Sequence, residues 1–352
     1  MGRGKFSAEQ EPSSLGVAVV GLGRWGPNLL RCLADDPRCR VLYAVDLDQS
    51  RLSHVRQRYA SVTTTDSLSQ VLDDPRVNAM VIATPATSHY SICQRSLRAG
   101  KHCLVEKPLA TSLRQASDLV YKAEAMGLVL AVGHVFLYNP SIRKVKDYLA
   151  QGELGSIHYL NMVRTNLGPP GIDVDVIWDL ATHDISVANF WLGSSPLRVT
   201  ANGGAWVEPD KIDSVFATLE YPAGEVAHLV ASWLNPRKVR DIVVVGSRLM
   251  VSVDDMSPSE PLRVYDKGID PQASNEFVDT YEGFRSSIRD GDVHIPKIAA
   301  AEPLREECRD FIDSVCAGCV PVSSGRGALP VVATIEAMHR SLVAHRTVTL
   351  VP

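Results

Sequence analysis

Residues 16 to 34 are the segment that most narrows the possible folds of this chain. The apolar run GVAVVG (16–21) leads into a turn with glycines at positions 21, 23 and 26, and an amphipathic stretch follows near 26–34. A buried strand joined to a helix by such a turn is typical of a strand–helix–strand unit with parallel strands.

The same alternation of apolar and amphipathic segments continues to residue 133. Further strand candidates lie at 41–45, 79–84, 102–106 and 128–133, and further helix candidates lie at 48–59, 66–73, 88–99 and 112–126. The strand candidates are continuously apolar, as parallel strands covered on both faces are. Residues 15–138 are therefore predicted to form an α/β Rossmann domain with a doubly wound parallel sheet.

A change of pattern after Asn139 and Pro140 indicates a second domain, and 352 residues suffice for two cores. A helix near 141–151 precedes β-rich segments with polar–apolar alternation, and helices are expected at 302–316 and 328–345. Residues 139–352 are predicted to form an α+β substrate-binding and oligomerisation domain with an open, mainly antiparallel sheet. An uncovered sheet face favours a homodimer or homotetramer. Residues 1–14 are predicted to be a disordered tail.

Charge and cysteine content exclude several classes of partner. The net charge is −4 and no basic cluster is present, so neither nucleic acid nor a membrane surface is an expected partner. Seven scattered cysteines are typical of a reducing compartment, and the lone pair Cys316 and Cys319 lacks further metal ligands. We predict a soluble, cytoplasmic protein without a metal that acts on a small molecule.

The glycine-rich turn predicts a dinucleotide site. Gly21 permits the tight turn, Gly23 lets the backbone approach a pyrophosphate, and Gly26 allows close helix packing. Arg24 and Trp25 lie within the same turn. The N-terminus of the following helix supplies N–H groups and a positive dipole end to the phosphates.

Asp46 follows the second apolar run at the position where a carboxylate binds the adenosine ribose hydroxyls. This carboxylate favours NAD over NADP because it repels a 2′-phosphate. Arg51 leaves NADP possible, since an arginine there can accommodate a phosphate, and Asp48 can share the carboxylate role.

Two segments at predicted carboxyl ends of strands are candidates for the reaction site. They are TPATSH (84–89) and Glu106-Lys107-Pro108, in which Pro108 favours an extended Lys107. In the predicted helix 178–193, Asp179 and His183 are four residues apart and so share one face. The alternative is that Asp179 caps this helix and pairs with His183.

The order and spacing of G-L-G-x-x-G, E-K-P and D-x-x-x-H resemble the glucose-fructose oxidoreductase, inositol dehydrogenase and rhizopine catabolism (Gfo/Idh/MocA) oxidoreductase family, from about residue 15 to the end. The resemblance implies an NAD(P)-dependent dehydrogenase or ketoreductase acting on CH–OH groups. It implies cofactor contacts from Thr84, Pro85, His89 and Glu106, catalytic roles for Lys107, Asp179 and His183, and Tyr138 and Asn139 near the substrate pocket.

The implied chemistry suits these residue types. A histidine titrates near neutrality and can accept the hydroxyl proton when hydride leaves a secondary alcohol. Lys107 can stabilise the developing alkoxide as a cation, and Asp179 can orient a hydroxyl or the histidine. Whether Lys107 or His183 takes the proton stays open.

The chain departs from the D-x-G-x-H-x-x-D pattern of many family members, since it has Ala181 for the glycine and Ser186 for the last aspartate. The segments RTNLGP and WDLATHD resemble those of a branch of this family that oxidises or reduces nucleotide-linked sugars, often at C3. Arg164 and Asn166 can bind a carboxylate or phosphate of such a substrate. The alternatives are an inositol or free-sugar dehydrogenase and a non-catalytic regulator that senses a dinucleotide.

Overall fold

The computed structural model of the protein describes residues 14–168, 173–269 and 288–350, and the chain divides into two compact units. The first unit contains the chain up to Glu106 together with Asp118–Val132 and Leu304–Ser324. The second contains Lys107–Ser117, Gly133–Pro303 and the chain from Gly325 onward. The predicted tail, residues 1–14, lies outside the described residues except for its last position.

The first unit is built on a parallel sheet of six strands. These are β1 (Leu15–Val20), β2 (Cys39–Val45), β3 (Thr63–Thr65), β4 (Ala79–Ile82), β5 (His102–Glu106) and β6 (Leu130–Gly133). Their order is β3-β2-β1-β4-β5-β6, the doubly wound order of a Rossmann domain. Every residue of β1 and β4 is buried, so the predicted fold class is confirmed for this half.

The helices of both units begin and end close to the positions expected from the sequence. They are α1 (Gly26–Ala34), α2 (Gln49–Arg58), α3 (Leu68–Leu72), α4 (Ala86–Arg98), α5 (Leu113–Ala125), α6 (Pro140–Ala150), α7 (Thr182–Leu192), α8 (Pro303–Ala317) and α9 (Gly325–Ala344). Two shorter helical segments matter for the site. A 3₁₀ turn spans Val135–Tyr138, and a π-helical turn spans Ile177–Ala181 directly before α7.

The second unit contains a sheet of nine strands. These are β7 (Ile157–Thr165), β8 (Arg198–Gly204), β9 (Ser214–Glu220), β10 (Val226–Ser232), β11 (Val239–Gly246), β12 (Met250–Asp254), β13 (Leu262–Ile269), β14 (Ile288–His294) and β15 (Val348–Thr349). Their order is β14-β13-β12-β11-β7-β10-β9-β8-β15. Only the β7–β10 pairing among these is parallel, which confirms the predicted mainly antiparallel sheet.

Side chains alternate between the two faces of the central strands. In β9 and β10, buried residues such as Ala217 and Leu229 alternate with exposed residues such as Phe216 and His228. Helix α9 contacts β8 and α7. In the part of the chain that the structure describes, no helix combines the length and apolarity needed to cross a membrane.

Candidate active site

The glycine turn after β1 is shaped by close backbone approaches. Gly21 has a φ of +90°, and a Cβ there would lie 2.6 Å from the carbonyl carbon of Ala83. A Cβ on Gly26 would lie 1.9 Å from the carbonyl oxygen of Gly21. No side chain caps the N-terminus of α1 at Trp25. The turn and this uncapped helix end therefore fit the pyrophosphate of a dinucleotide.

Asp46, the residue after β2, is tied to the glycine turn. Its Oδ2 accepts a hydrogen bond from the backbone N–H of Leu22 at 2.6 Å and lies 3.4 Å from Nη1 of Arg51. Asp48 instead caps α2, where its Oδ1 accepts from the backbone N–H of Ser50 at 2.8 Å. Of the two aspartates, Asp46 is thus the one joined to the predicted dinucleotide turn.

The turn between β4 and α4 is held by its own side chains. Nε2 of the buried His89 lies 2.8 Å from the carbonyl oxygen of Thr84. The hydroxyl of Ser88 donates to Oγ1 of Thr84 at 2.8 Å, and Pro85 occupies the N-cap position of α4. His89 therefore supports the turn that carries Thr84. Glu106 ends β5 and is half-buried.

Lys107, directly after β5, is anchored to Asp179. Nζ of Lys107 donates to the backbone carbonyl of Asp179 and to its Oδ1, both at 2.8 Å. The second carboxylate oxygen, Oδ2, accepts from the indole Nε1–H of Trp233 at 3.2 Å. The Lys107 side chain is only 13% exposed. The structure thus joins two predicted catalytic residues that lie 72 positions apart in the sequence.

Asp175 holds the N-terminal backbone of the π-helical turn that carries Asp179. Its Oδ1 accepts from the backbone N–H groups of residues 177 and 178, at 3.0 and 3.2 Å. Asp179 is therefore not the cap, and its carboxylate pairs with Lys107 rather than with His183. This excludes the alternative in which Asp179 only caps the helix. Single π-helical turns within helices are frequent at functional sites.

His183, in the first turn of α7, is half-buried, and its ring centroid lies 4.9 Å from that of Phe136. Its enclosed Nδ1 has no hydrogen-bond partner among the described residues. Burial lowers the pKa of His183 well below its usual value, and neighbouring groups lower it further: Lys107, Arg164, His134 and Arg240. The imidazole is therefore neutral at neutral pH and able to accept a proton.

Arg164 on β7 forms a buried ion pair with Asp184 of α7. Its Nε lies 3.0 and 3.1 Å from the two carboxylate oxygens, and its Nη2 lies 2.7 Å from Oδ1. The guanidinium carbon lies 4.2 Å from the Phe136 ring centroid. Arg164, which was predicted to bind a substrate carboxylate or phosphate, thus pairs with a carboxylate of the protein itself. Asn166, predicted for the same role, is exposed.

The two residues predicted near the pocket from the segment 132–140 have structural contacts. Tyr138 is buried beneath the guanidinium of Arg143, whose carbon lies 5.0 Å from the ring centroid. Asn139 caps α6, and its Nδ2 donates to Oδ1 of Asp255 at 2.8 Å. In residues 14–168, 173–269 and 288–350, no three His, Cys, Asp or Glu side chains converge as metal ligands.

Sequence reasoning missed several residues around Lys107 and His183. They are His134, Phe136, Asp184, Trp233 and Arg240. His134 and Phe136 lie within VGHVFLYNP, which the sequence analysis singled out only for Tyr138 and Asn139. No local pattern marks Trp233, because the packing of the π-helical turn against β10 brings it to Asp179.

Two family models match this chain. The family model described as "Oxidoreductase family, NAD-binding Rossmann fold" (GFO_IDH_MocA) matches residues 15–134, and the "GFO/IDH/MocA C-terminal domain" model matches residues 142–252. UDP-N-acetylglucosamine 3-dehydrogenase of Acidithiobacillus ferrooxidans is 31% identical over 242 residues, covering 68% of this chain and 71% of that protein. Myo-inositol 2-dehydrogenase of Thermotoga maritima is 22% identical over 354 residues, covering 95% and 98%.

Two solved structures extend the similarity over almost the whole chain. The structure of the Acidithiobacillus ferrooxidans enzyme has a TM-score of 0.79 at 26% identity and covers 94% of this chain and 98% of that one. GenD2 from gentamicin A biosynthesis, solved in complex with NAD, has a TM-score of 0.80 at 26% identity, covering 100% and 99%. The predicted family, enzyme class and NAD cofactor are thereby confirmed. This chain belongs to the Gfo/Idh/MocA family of NAD-binding oxidoreductases.

Proposed function

We propose that this oxidoreductase transfers hydride between NAD and a secondary alcohol or ketone, at ring carbon C3 of a nucleotide-linked sugar. One observation carries the reaction type: an anchored ammonium (Lys107), its carboxylate (Asp179) and a neutral imidazole (His183) lie together in the second unit. The relative named UDP-N-acetylglucosamine 3-dehydrogenase supports this substrate class and position.

The proposed roles follow from charge and contacts. Bound NAD supplies the acceptor or donor of the hydride. His183 accepts the hydroxyl proton, because its imidazole is neutral at working pH. Lys107 stabilises the alkoxide oxygen as it develops, and the two hydrogen bonds that its ammonium donates to Asp179 hold it in place before the reaction begins.

A second candidate substrate is a free inositol. The relative named myo-inositol 2-dehydrogenase matches nearly the whole chain, although at lower identity. An inositol has no phosphate or nucleotide. It would react at the same Lys107, Asp179 and His183 and would need no anion-binding group on the protein. The two candidates therefore differ in substrate binding and share one reaction.

A substrate panel tests the proposal. Purified enzyme is mixed with NAD and with UDP-N-acetylglucosamine, UDP-glucose, free N-acetylglucosamine, myo-inositol or scyllo-inositol, and NADH absorbance is followed. The expected result is turnover with the nucleotide sugars only. A substrate deuterated at C3 should transfer its label to the reduced cofactor. Turnover with inositols alone, or retention of the deuterium, would contradict the proposal.

The expected assembly and location of the enzyme are also predictions. Phe216 and Tyr159 are exposed on the nine-stranded sheet, consistent with a face covered in a homodimer or homotetramer. Light scattering of the purified protein measures the assembly, and fractionation of the source cells tests the cytoplasmic location.

A further inference from the structure

His134 is a buried histidine that the proposed reaction does not use. It directly precedes the 3₁₀ turn, is 3% exposed, and neither ring nitrogen has a hydrogen-bond partner among the described residues. An enclosed polar atom without a partner costs about 1 to 3 kcal/mol. A neutral imidazole carries one donor and one acceptor, so His134 has two such atoms. This cost makes His134 a candidate hydrogen-bond partner for a neighbouring polar group.

His183 likewise has a ring nitrogen without a hydrogen-bond partner among the described residues. For Nε2 of a neutral imidazole to accept a proton, the ring must already carry its own proton on Nδ1. In histidine bases the partner of the second nitrogen sets this tautomer and the orientation of the ring. Nδ1 of His183 is enclosed and has no such partner in the part of the chain that the structure describes. The proposed base therefore needs an acceptor at Nδ1.

Among the described residues, the titratable groups that act on His183 include one that can accept a hydrogen bond. Four titratable groups act on the ring electrostatically: Lys107, Arg164, His134 and Arg240. An ammonium or a guanidinium can only donate hydrogen bonds, whereas a neutral imidazole can also accept one. Burial, and then the nearby Lys107, lower the pKa of His134 to about 4, which keeps its ring neutral.

The nearby carboxylates are already engaged by other groups. Each of these acids pairs with its own cation: Asp179 with Lys107, Asp184 with Arg164, and Asp255 with Arg240. Phe136, two residues after His134, lies against the His183 ring, and the 3₁₀ turn that follows His134 packs against α7, which carries His183.

We propose that His134 is the positioning residue for His183, accepting a hydrogen bond from Nδ1–H of His183 and so keeping Nε2 of that ring free to take the alcohol proton. Rotation of the rings about their side-chain torsions forms the bond. As the hydroxyl proton passes to Nε2 of His183, the Nδ1 proton stays on His183, and its bond to His134 strengthens because the donor has become charged. The inference rests on the proposed role of His183 as the base.

Imidazole NMR tests the inference without substrate. With ¹⁵N-labelled histidine, and the His183 signals assigned by comparison with His183→Gln, wild-type protein at neutral pH should carry the His183 proton on Nδ1. His134→Leu, which has no acceptor, should move that proton to Nε2. A wild-type proton on Nε2, or an unchanged tautomer in folded His134→Leu, would overturn the inference.

Kinetic measurements distinguish a role of His134 as hydrogen-bond acceptor from a role in packing alone. With a substrate found active in the panel, His134→Leu should lower kcat by about 10- to 100-fold, the range for loss of a group that orients a reacting side chain. His134→Gln, which keeps an acceptor oxygen, should recover most of kcat, and NADH affinity should be unchanged in both. Equal loss in both variants would count against the inference. The matched control is His102→Gln, at a half-buried histidine on β5, and it should leave kcat unchanged.

The two proposals fail in different ways. If no nucleotide sugar is oxidised, the proposed substrate is wrong, but the tautomer of His183 in wild-type protein still tests the inference. If turnover occurs and the tautomer does not depend on His134, only the inference is wrong. Thermal unfolding of each variant shows that it is folded, and the wild-type spectrum decides the matter if His134→Leu does not fold.

Discussion

Lys107 and Asp179 are joined by two hydrogen bonds of 2.8 Å, one to the carboxylate and one to the backbone carbonyl of Asp179. The hydrogen bond to the backbone carbonyl does not depend on the charge of the Asp179 carboxylate. The Lys107 ammonium therefore keeps this bond even when the carboxylate binds substrate. A cation held in advance stabilises a developing negative charge without reorganising during the reaction.

Removing either proposed reacting group should abolish most turnover. Lys107→Ala and His183→Ala are each expected to lower kcat by about 100- to 10,000-fold, the usual contribution of a positioned acid, base or cation. NADH affinity, measured by fluorescence titration, should stay nearly unchanged. Lys146→Ala removes another half-buried lysine of the second unit, whose Nζ donates to the carbonyl of Phe190 at 2.7 Å, and should leave kcat within a few-fold. Unchanged turnover in both Ala variants would refute the assigned roles.

Asp46 should control the choice between NAD and NADP. Asp46→Asn removes the charge that would repel a 2′-phosphate while Arg51 remains nearby, so we expect weaker NADH binding, by about 10-fold, and a smaller preference over NADPH. Fluorescence titration with both cofactors measures this. Asp48→Asn, at the cap of α2, is the control and should leave the preference unchanged. An equal effect of the two substitutions would show that Asp46 has no special role.

The Arg164–Asp184 pair should be a major source of stability in the second unit. Arg164→Met leaves the Asp184 carboxylate buried without a cation and should lower the free energy of unfolding by about 3 to 5 kcal/mol. The control is Arg198→Met, at the exposed pair with Glu220, which should cost about 0 to 1 kcal/mol. Urea unfolding compares the two. If Arg164→Met is no more destabilising than Arg198→Met, the buried pair is not needed for folding.

Glu307 on α8 should make stability depend on pH. It is buried, and neither carboxyl oxygen has a hydrogen-bond partner among the described residues. Burial, and then the nearby Glu106, raise the pKa of Glu307 well above its usual range. The folded protein therefore keeps a proton that the unfolded chain loses above about pH 4.3, so this contribution to stability falls as pH rises through and beyond that value.

Glu307→Gln tests this dependence because the amide does not ionise. The variant should be more stable than wild type near pH 8, and this gain should disappear near pH 4. Glu306→Gln, at the preceding residue, whose partly exposed side chain pairs with Arg309 at 2.8 Å, should show no such trend. Urea unfolding at several pH values gives both curves, and a gain independent of pH would contradict the raised pKa.

Local patterns predicted much of the first unit. The apolar runs and amphipathic stretches located five of its six strands within a few residues, because buried parallel strands are continuously apolar. Strand β3 was missed because its sequence, Thr63–Thr65, is short and polar. The helix expected at 178–193 begins instead with a π-helical turn, whose extra residue per turn leaves no mark in the apolar spacing.

The sequence by itself determined the α/β first half and the glycine turn with Asp46, because each depends on neighbours close along the chain. The catalytic roles of Lys107, Asp179 and His183 stay predictions. Only the tertiary structure decided which side chains meet: Lys107 with Asp179, Arg164 with Asp184, and the enclosed His134 among the groups around His183. Those contacts depend on the order and register in which distant strands and helices pack, and a one-dimensional pattern does not specify them.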